Sequence, residues 1–111
     1  RKKMTEKEKM LAGEWYQAGD PELVNERLQA RKITKALNDS DPKEVELRAD
    51  LVKKLVGSSG KNFWIEPPFY CDYGSNIHVG DDVFFNFNCV VLDVNKVTFG
   101  DRVFIAPNVQ F

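Results

Sequence analysis

Two near-copies of one phrase constrain this chain more than anything else in it. Val79-Gly80-Asp81-Asp82-Val83-Phe84 returns twenty residues later as Phe99-Gly100-Asp101-Arg102-Val103-Phe104. Within that interval a shorter beat runs. Tyr73, Val79, Phe85 and Val91 fall every six residues, and four places after each come Ile77, Val83, Cys89 and Asn95. A helix buries side chains on a period of about 3.6 and an ordinary strand on a period of about 2, so a sustained six is neither. It is the period of one flat face of a parallel β-helix, in which a short strand, a corner and the next strand stack coil upon coil.

Three such faces make a coil of about eighteen residues. The interval of twenty therefore reads as one coil plus a surplus, expected between Val91 and Phe99, where Leu92-Asp93-Val94-Asn95-Lys96 breaks the beat. The Gly-Asp pairs mark corners, since glycine adopts backbone angles closed to other residues and aspartate bonds its own backbone. Residue one of each six is expected to point inward, with a small residue at five beside it. An up-and-down antiparallel domain with hairpins at each Gly-Asp would explain alternation but not the repeated phrase.

The first part of the chain reads as helices. Thr5-Glu6-Lys7-Glu8 is a capping box, opening a short helix expected to end around Gly13 to Tyr16. Asp20-Pro21 caps a second, because proline at the first helical position loses no hydrogen bond; Leu23, Arg27, Leu28, Ile33 and Leu37 give it a stripe, and it stops near Asn38-Asp39-Ser40. Asp41-Pro42-Lys43-Glu44 repeats the signal for a third helix carrying Val45, Leu47, Leu51, Leu55 and Val56. Gly57-Ser58-Ser59-Gly60 is read as a linker. It is no phosphate loop, having two residues between its glycines where four are needed and Asn62 where Ser or Thr should follow the lysine. Phe63 to Tyr70, with Pro67 and Pro68, is expected to form an irregular first coil that caps the stack.

Sixteen basic and seventeen acidic residues leave a net charge of -1, which excludes the strong field that draws in nucleic acid or an anionic membrane. No apolar run approaches the roughly 20 residues of a membrane span, and no signal-peptide core follows Arg1-Lys2-Lys3, so the expected location is cytoplasmic. Cys71 and Cys89, eighteen residues apart, both count to position five and are expected inward on adjacent rungs. There they would pack as small hydrophobes or, alternatively, form a disulfide or metal pair.

Trp64-Ile65-Glu66-Pro67-Pro68-Phe69, Cys71-Asp72-Tyr73-Gly74-Ser75-Asn76-Ile77, Asn86-Phe87-Asn88 and Ala106-Pro107-Asn108-Val109, with Met10-Leu11-Ala12-Gly13-Glu14 at the helical front, together resemble the maltose and galactoside O-acetyltransferases, a family of hexapeptide-repeat acyltransferases. The resemblance implies an α+β fold: a helical region over 1–60, then the first coils of a left-handed parallel β-helix over 61–111, truncated at the C-terminus. It also implies a homotrimer with clefts between subunits, where acetyl-CoA gives its acetyl group to a hydroxyl of a sugar such as maltose or glucose and no metal takes part.

A hydroxyl needs a general base, usually histidine. The single histidine, His78, sits between inward residues and is read as facing outward. The resemblance puts the catalytic histidine beyond Phe111, so residues 1–111 alone are expected to transfer no acetyl group, and a non-catalytic β-helix assembly or binding module is the competing reading. On the acceptor side the resemblance points to Asn86, which would orient the base or the sugar, and to Asp72, Asp93 and Arg27. A carboxylate suits a sugar because it accepts from two hydroxyls at once. Val94 stands where galactoside members carry a second acid.

Overall fold

The computed structural model describes residues 3–111, an elongated body of 51 × 27 × 22 Å with three helices leading into seven short strands. Helix α1 spans Glu6–Leu11 and opens on the expected capping box: Thr5 Oγ1 accepts from Glu8 N at 3.1 Å while Glu8 Oε1 accepts from Thr5 N at 2.8 Å. It ends earlier than the sequence suggested, because Gly13 turns to a φ of 77° directly after the cap at Ala12.

Helix α2, Pro21–Asn38, is capped by Asp20, whose Oδ2 accepts from Glu22 N. It buries Leu23, Ala30, Thr34 and Leu37. Leu28 lies off that stripe and is 54% exposed. The expected start of the third helix is corrected. Asp41 to Glu44 closes a separate turn, in which Glu44 Oε1 accepts from Asp41 N and Asp41 Oδ1 from Lys43 N, and α3 runs Val45–Leu55. The cap thus falls three residues later than expected, and packing against α2 and the coils buries Arg48, Val52 and Leu55 while Val45 and Leu47 are exposed. Arg48 Nε and Nη2 donate to Ser40 Oγ at 2.8 Å and Ser40 O at 3.0 Å, tying the α2–α3 connection down.

The strands are β1 (Trp64–Ile65), β2 (Phe69–Cys71), β3 (Ile77–Val79), β4 (Phe84–Phe85), β5 (Cys89–Val91), β6 (Val97–Phe99) and β7 (Phe104–Ile105). They form three sheets, β1-β4-β7, β2-β5 and β3-β6, parallel throughout. No strand in the span folds back on its neighbour, so the antiparallel alternative is excluded. Every pairing joins residues twenty apart, from Trp64↔Phe84 to Phe84↔Phe104. The surplus lies in the 92–96 corner as expected, but also in the 72–76 corner beneath it.

That second surplus shifts the frame of the lower coil. Cys71 stands under Val91 and Phe69 under Cys89, so the two thiols, both free and buried, are not stacked on one another. Tyr73 leaves the coil interior and packs with Met10 and Leu23. The first coil is also more regular than expected. Pro67 and Pro68 occupy the corner between β1 and β2, where the ladder makes no demand on their missing N–H groups, and both strands are in register with the coil above. Gly57 to Gly60 is not a free linker: Gly57 N donates to Ile77 O and Val79 N to Ser58 O, so it lies along β3.

The Gly-Asp corners work differently from the sequence reading. At these corners the left-handed backbone falls at Asn62, Asp82 and Arg102, with φ of 57°, 58° and 57°, and it recurs at a second corner at Asn88 and Asn108, with φ of 62° and 63°. Glycine is needed for close approach: a Cβ on Gly60 or Gly80 would collide with the carboxylate of Asp81 or Asp101 from the coil above. Those carboxylates accept the N–H of Lys61 and Asp81, each at 2.8 Å. The interior is centred on Phe85, which meets Phe63, Phe69 and Phe99 edge to face at 6.3, 5.8 and 5.0 Å. Leu37, Val52 and Leu55 continue this cluster into the helices, so α2 and α3 are fixed against the coils.

Candidate functional site

The site grows out of the 72–76 corner. Asp93, one coil up, is fully buried. Its Oδ1 accepts from Asp72 N at 3.1 Å and Tyr73 N at 2.9 Å, and its Oδ2 from Asn76 N at 3.2 Å. Asn76 Nδ2 returns a bond to Asp93 O at 2.8 Å. Burial raises the carboxyl pKa above the ordinary range, opposed by the N–H bonds from Tyr73 and Asn76. Asp93 is thus the internal brace of the corner, which corrects its expected role as a sugar contact.

Helix α2 lays Arg27 over this corner. Its Nη1 donates to Tyr73 Oη at 2.7 Å and its Nη2 to Ala18 O at 2.8 Å, with Cζ 5.7 Å from the centre of the Tyr73 ring. This fork and stack is geometry that lysine cannot reproduce. Burial pushes the Tyr73 hydroxyl pKa up, and the Arg27 bond works against that. Arg27 therefore makes tertiary contacts rather than a surface ion pair.

Tyr16, Ala18, Arg27, Asp72, Tyr73 and Val94 line an open pocket of about 210 Å³. It offers a guanidinium and a carboxylate, both expected from the sequence, and two phenols. Asn86 lies outside it, at the corner after β4: its N–H donates to Ile105 O and its Oδ1 accepts from Phe87 N, both at 2.9 Å. Tyr73 and Tyr16 were not foreseen as site residues. The signal for Tyr73 was its place in the corner that carries Asp72; for Tyr16 there was none.

His78 sits on β3 between buried Ile77 and Val79, with Nδ1 2.7 Å from Ser58 Oγ, and does not line the pocket. Burial, reinforced by the nearby Asp93 and Asp72 charges, raises the pKa of the Cys71 thiol and leaves it a packing group rather than a nucleophile. Among the described residues, no group of three His, Cys, Asp or Glu side chains is placed to hold a metal ion, and no helix is long and apolar enough to cross a membrane.

Residues 9–60 match the maltose acetyltransferase hexapeptide capping motif. Galactoside O-acetyltransferase of Escherichia coli is 42% identical over 102 residues, 92% of this chain and 50% of that protein. In solved structures, a maltose O-acetyltransferase from Clostridium difficile 630 superposes with a TM-score of 0.95 at 50% identity, covering 96% of this chain and 57% of the other. A hexapeptide-repeat acetyltransferase from Vibrio cholerae, complexed with acetyl coenzyme A, superposes with a TM-score of 0.85 at 40% identity, covering 97% and 58%. The chain spans about half the length of the curated relatives it matches, such as the 50% of the E. coli protein. In helical front end, stacked parallel coils and residue identity, the chain is similar to the maltose and galactoside O-acetyltransferases.

Proposed function

We propose that the full-length protein transfers the acetyl group of acetyl-CoA to a hydroxyl of a sugar such as maltose or glucose, and that the Arg27–Asp72–Tyr73 pocket is part of its acceptor site. The sugar oxygen forms a bond to the thioester carbonyl carbon, the carbon–sulfur bond breaks, the hydroxyl proton passes to a general base, and the coenzyme leaves as its thiol. The base is a histidine C-terminal to Phe111, where the family resemblance puts it. His78, held by Ser58, is not that base. Asn86 orients the base or the sugar, by the same resemblance. Its Nδ2 has no partner among the described residues and is free to donate. The coils wind left-handed, the assembly is a homotrimer, the reaction uses no metal, and the protein works in the cytoplasm.

The observation that carries this reading is the meeting of Arg27 and Asp72 at one pocket, although they lie on a helix and on a coil corner far apart in the chain. Arg27 fixes the pocket's shape, and the Asp72 carboxylate accepts from paired sugar hydroxyls. Coenzyme A release by the full-length protein should depend on added maltose, glucose or a galactoside. Absence of release with every sugar and glycoside tried removes the proposal.

A further inference from the structure

The pocket does not end at Tyr16. That residue and Ala18 also border a larger open cavity of about 790 Å³, whose other walls include Lys9, Glu14 and Trp15. Trp15 is 98% exposed. Its loop is nevertheless held at several points: Glu14 N donates to Lys9 O at 2.9 Å, Gln17 N to Glu6 Oε1 at 2.7 Å and Asp20 N to Gln17 O at 3.1 Å. Arg27 fixes Ala18 from the opposite side. The other tryptophan behaves conventionally, half-buried with its Nε1 donating to Glu66 Oε1 at 2.8 Å.

An indole held in water by hydrogen-bonded backbone contributes nothing to the core, and so large an exposed apolar group is informative where a scattered leucine would not be. Its face suits the C–H face of a sugar ring, and the Nε1–H, Glu14 and Lys9 around it can bond hydroxyls. The order of the loop matters too, because with the backbone on either side already held only the indole's own rotamers must be fixed on binding.

We infer that Trp15 forms a second saccharide subsite, continuous past Tyr16 with the Arg27–Asp72–Tyr73 pocket, so that the acceptor is a neutral disaccharide or longer glycoside whose second ring stacks on the indole. This rests on the acceptor reading of that pocket.

The test uses the full-length protein and its Trp15→Ala, Trp15→Phe and Arg27→Ala variants, titrated calorimetrically with glucose, maltose and maltotriose. Trp15→Ala should weaken maltose and maltotriose about three- to tenfold and leave glucose unchanged; Trp15→Phe should retain most of the affinity. Equal effects on glucose and maltose, no effect on either, or a change in assembly state without a change in maltose affinity each overturn the subsite. Arg27→Ala separates the two claims: if it weakens glucose binding about tenfold while Trp15→Ala leaves maltose alone, the pocket stands and the subsite falls. A wild-type protein that binds none of the three sugars overturns both.

Discussion

Asp93 Oδ1 lies 2.9 Å from the backbone nitrogen of Tyr73, twenty residues and one coil below it. Through that contact the upper coil shapes the lower corner, and with it the wall from which Asp72 and Tyr73 line the pocket.

Removing the brace should be costly. Asp93→Ala leaves the N–H groups of Asp72, Tyr73 and Asn76 without their acceptor, and stranded buried donors cost about 1–3 kcal/mol apiece, so a loss of about 3 kcal/mol or more is expected after water relieves part of the damage. Asp93→Asn keeps one oxygen and should lose about half as much. Urea unfolding midpoints measure both, and an alanine variant as stable as wild type would refute the role.

The same carboxylate gives a pH signature. Because burial raises its folded pKa, the folded protein binds this proton more tightly than the unfolded chain does. Its contribution to stability is therefore fully present below the unfolded pKa and lost as pH rises through the folded value. Between those two values, wild type should gain stability relative to Asp93→Asn as pH falls. A wild-type minus variant difference that is flat across this window contradicts the assignment.

Two glycines of the repeated phrase should respond unequally to alanine. At Gly80 the new methyl meets the Asp101 carboxylate and nearby backbone, whereas at Gly100 nothing lies within 4 Å. Gly80→Ala should cost about 1–3 kcal/mol through overpacking, and Gly100→Ala no more than about 0.5 kcal/mol. Thermal unfolding of the pair decides whether close approach explains the motif.

Arg27 and Tyr73 should act as a unit on the acceptor. In the full-length protein, Arg27→Ala should raise the sugar KM about tenfold, equivalent to roughly 1.4 kcal/mol, while the KM for acetyl-CoA stays unchanged. Arg27→Lys should not rescue it, since an ammonium cannot span Tyr73 Oη and Ala18 O. Steady-state kinetics in both substrates checks the split.

The six-residue beat and the twenty-residue echo were enough to read stacked parallel coils, because a period that neither helix nor ordinary strand can satisfy leaves few ways to bury the recurring apolar residues. Thr5-Glu8 and Asp20-Pro21 announced two helix starts for the same reason: caps are local chemistry. Asp41-Glu44 carried identical local chemistry yet closed a turn outside its helix, so α3 began at Val45, and packing against α2 and the coils buried Arg48 and Val52 in place of Val45 and Leu47.

What the sequence determined by itself was the six-residue period, the twenty-residue length of the upper coil and the presence of Arg27 and Asp72 as polar candidates. Tertiary structure decided the phase and the roles. A two-residue surplus in the 72–76 corner, invisible until the coils are in register, put Cys71 under Val91 and sent Tyr73 out to Arg27. Whether a carboxylate faces solvent or three backbone N–H groups depends on what lies one coil away, which is why Asp93 proved a brace. The pocket exists only because packing sets a helix against a corner more than forty residues further along the chain.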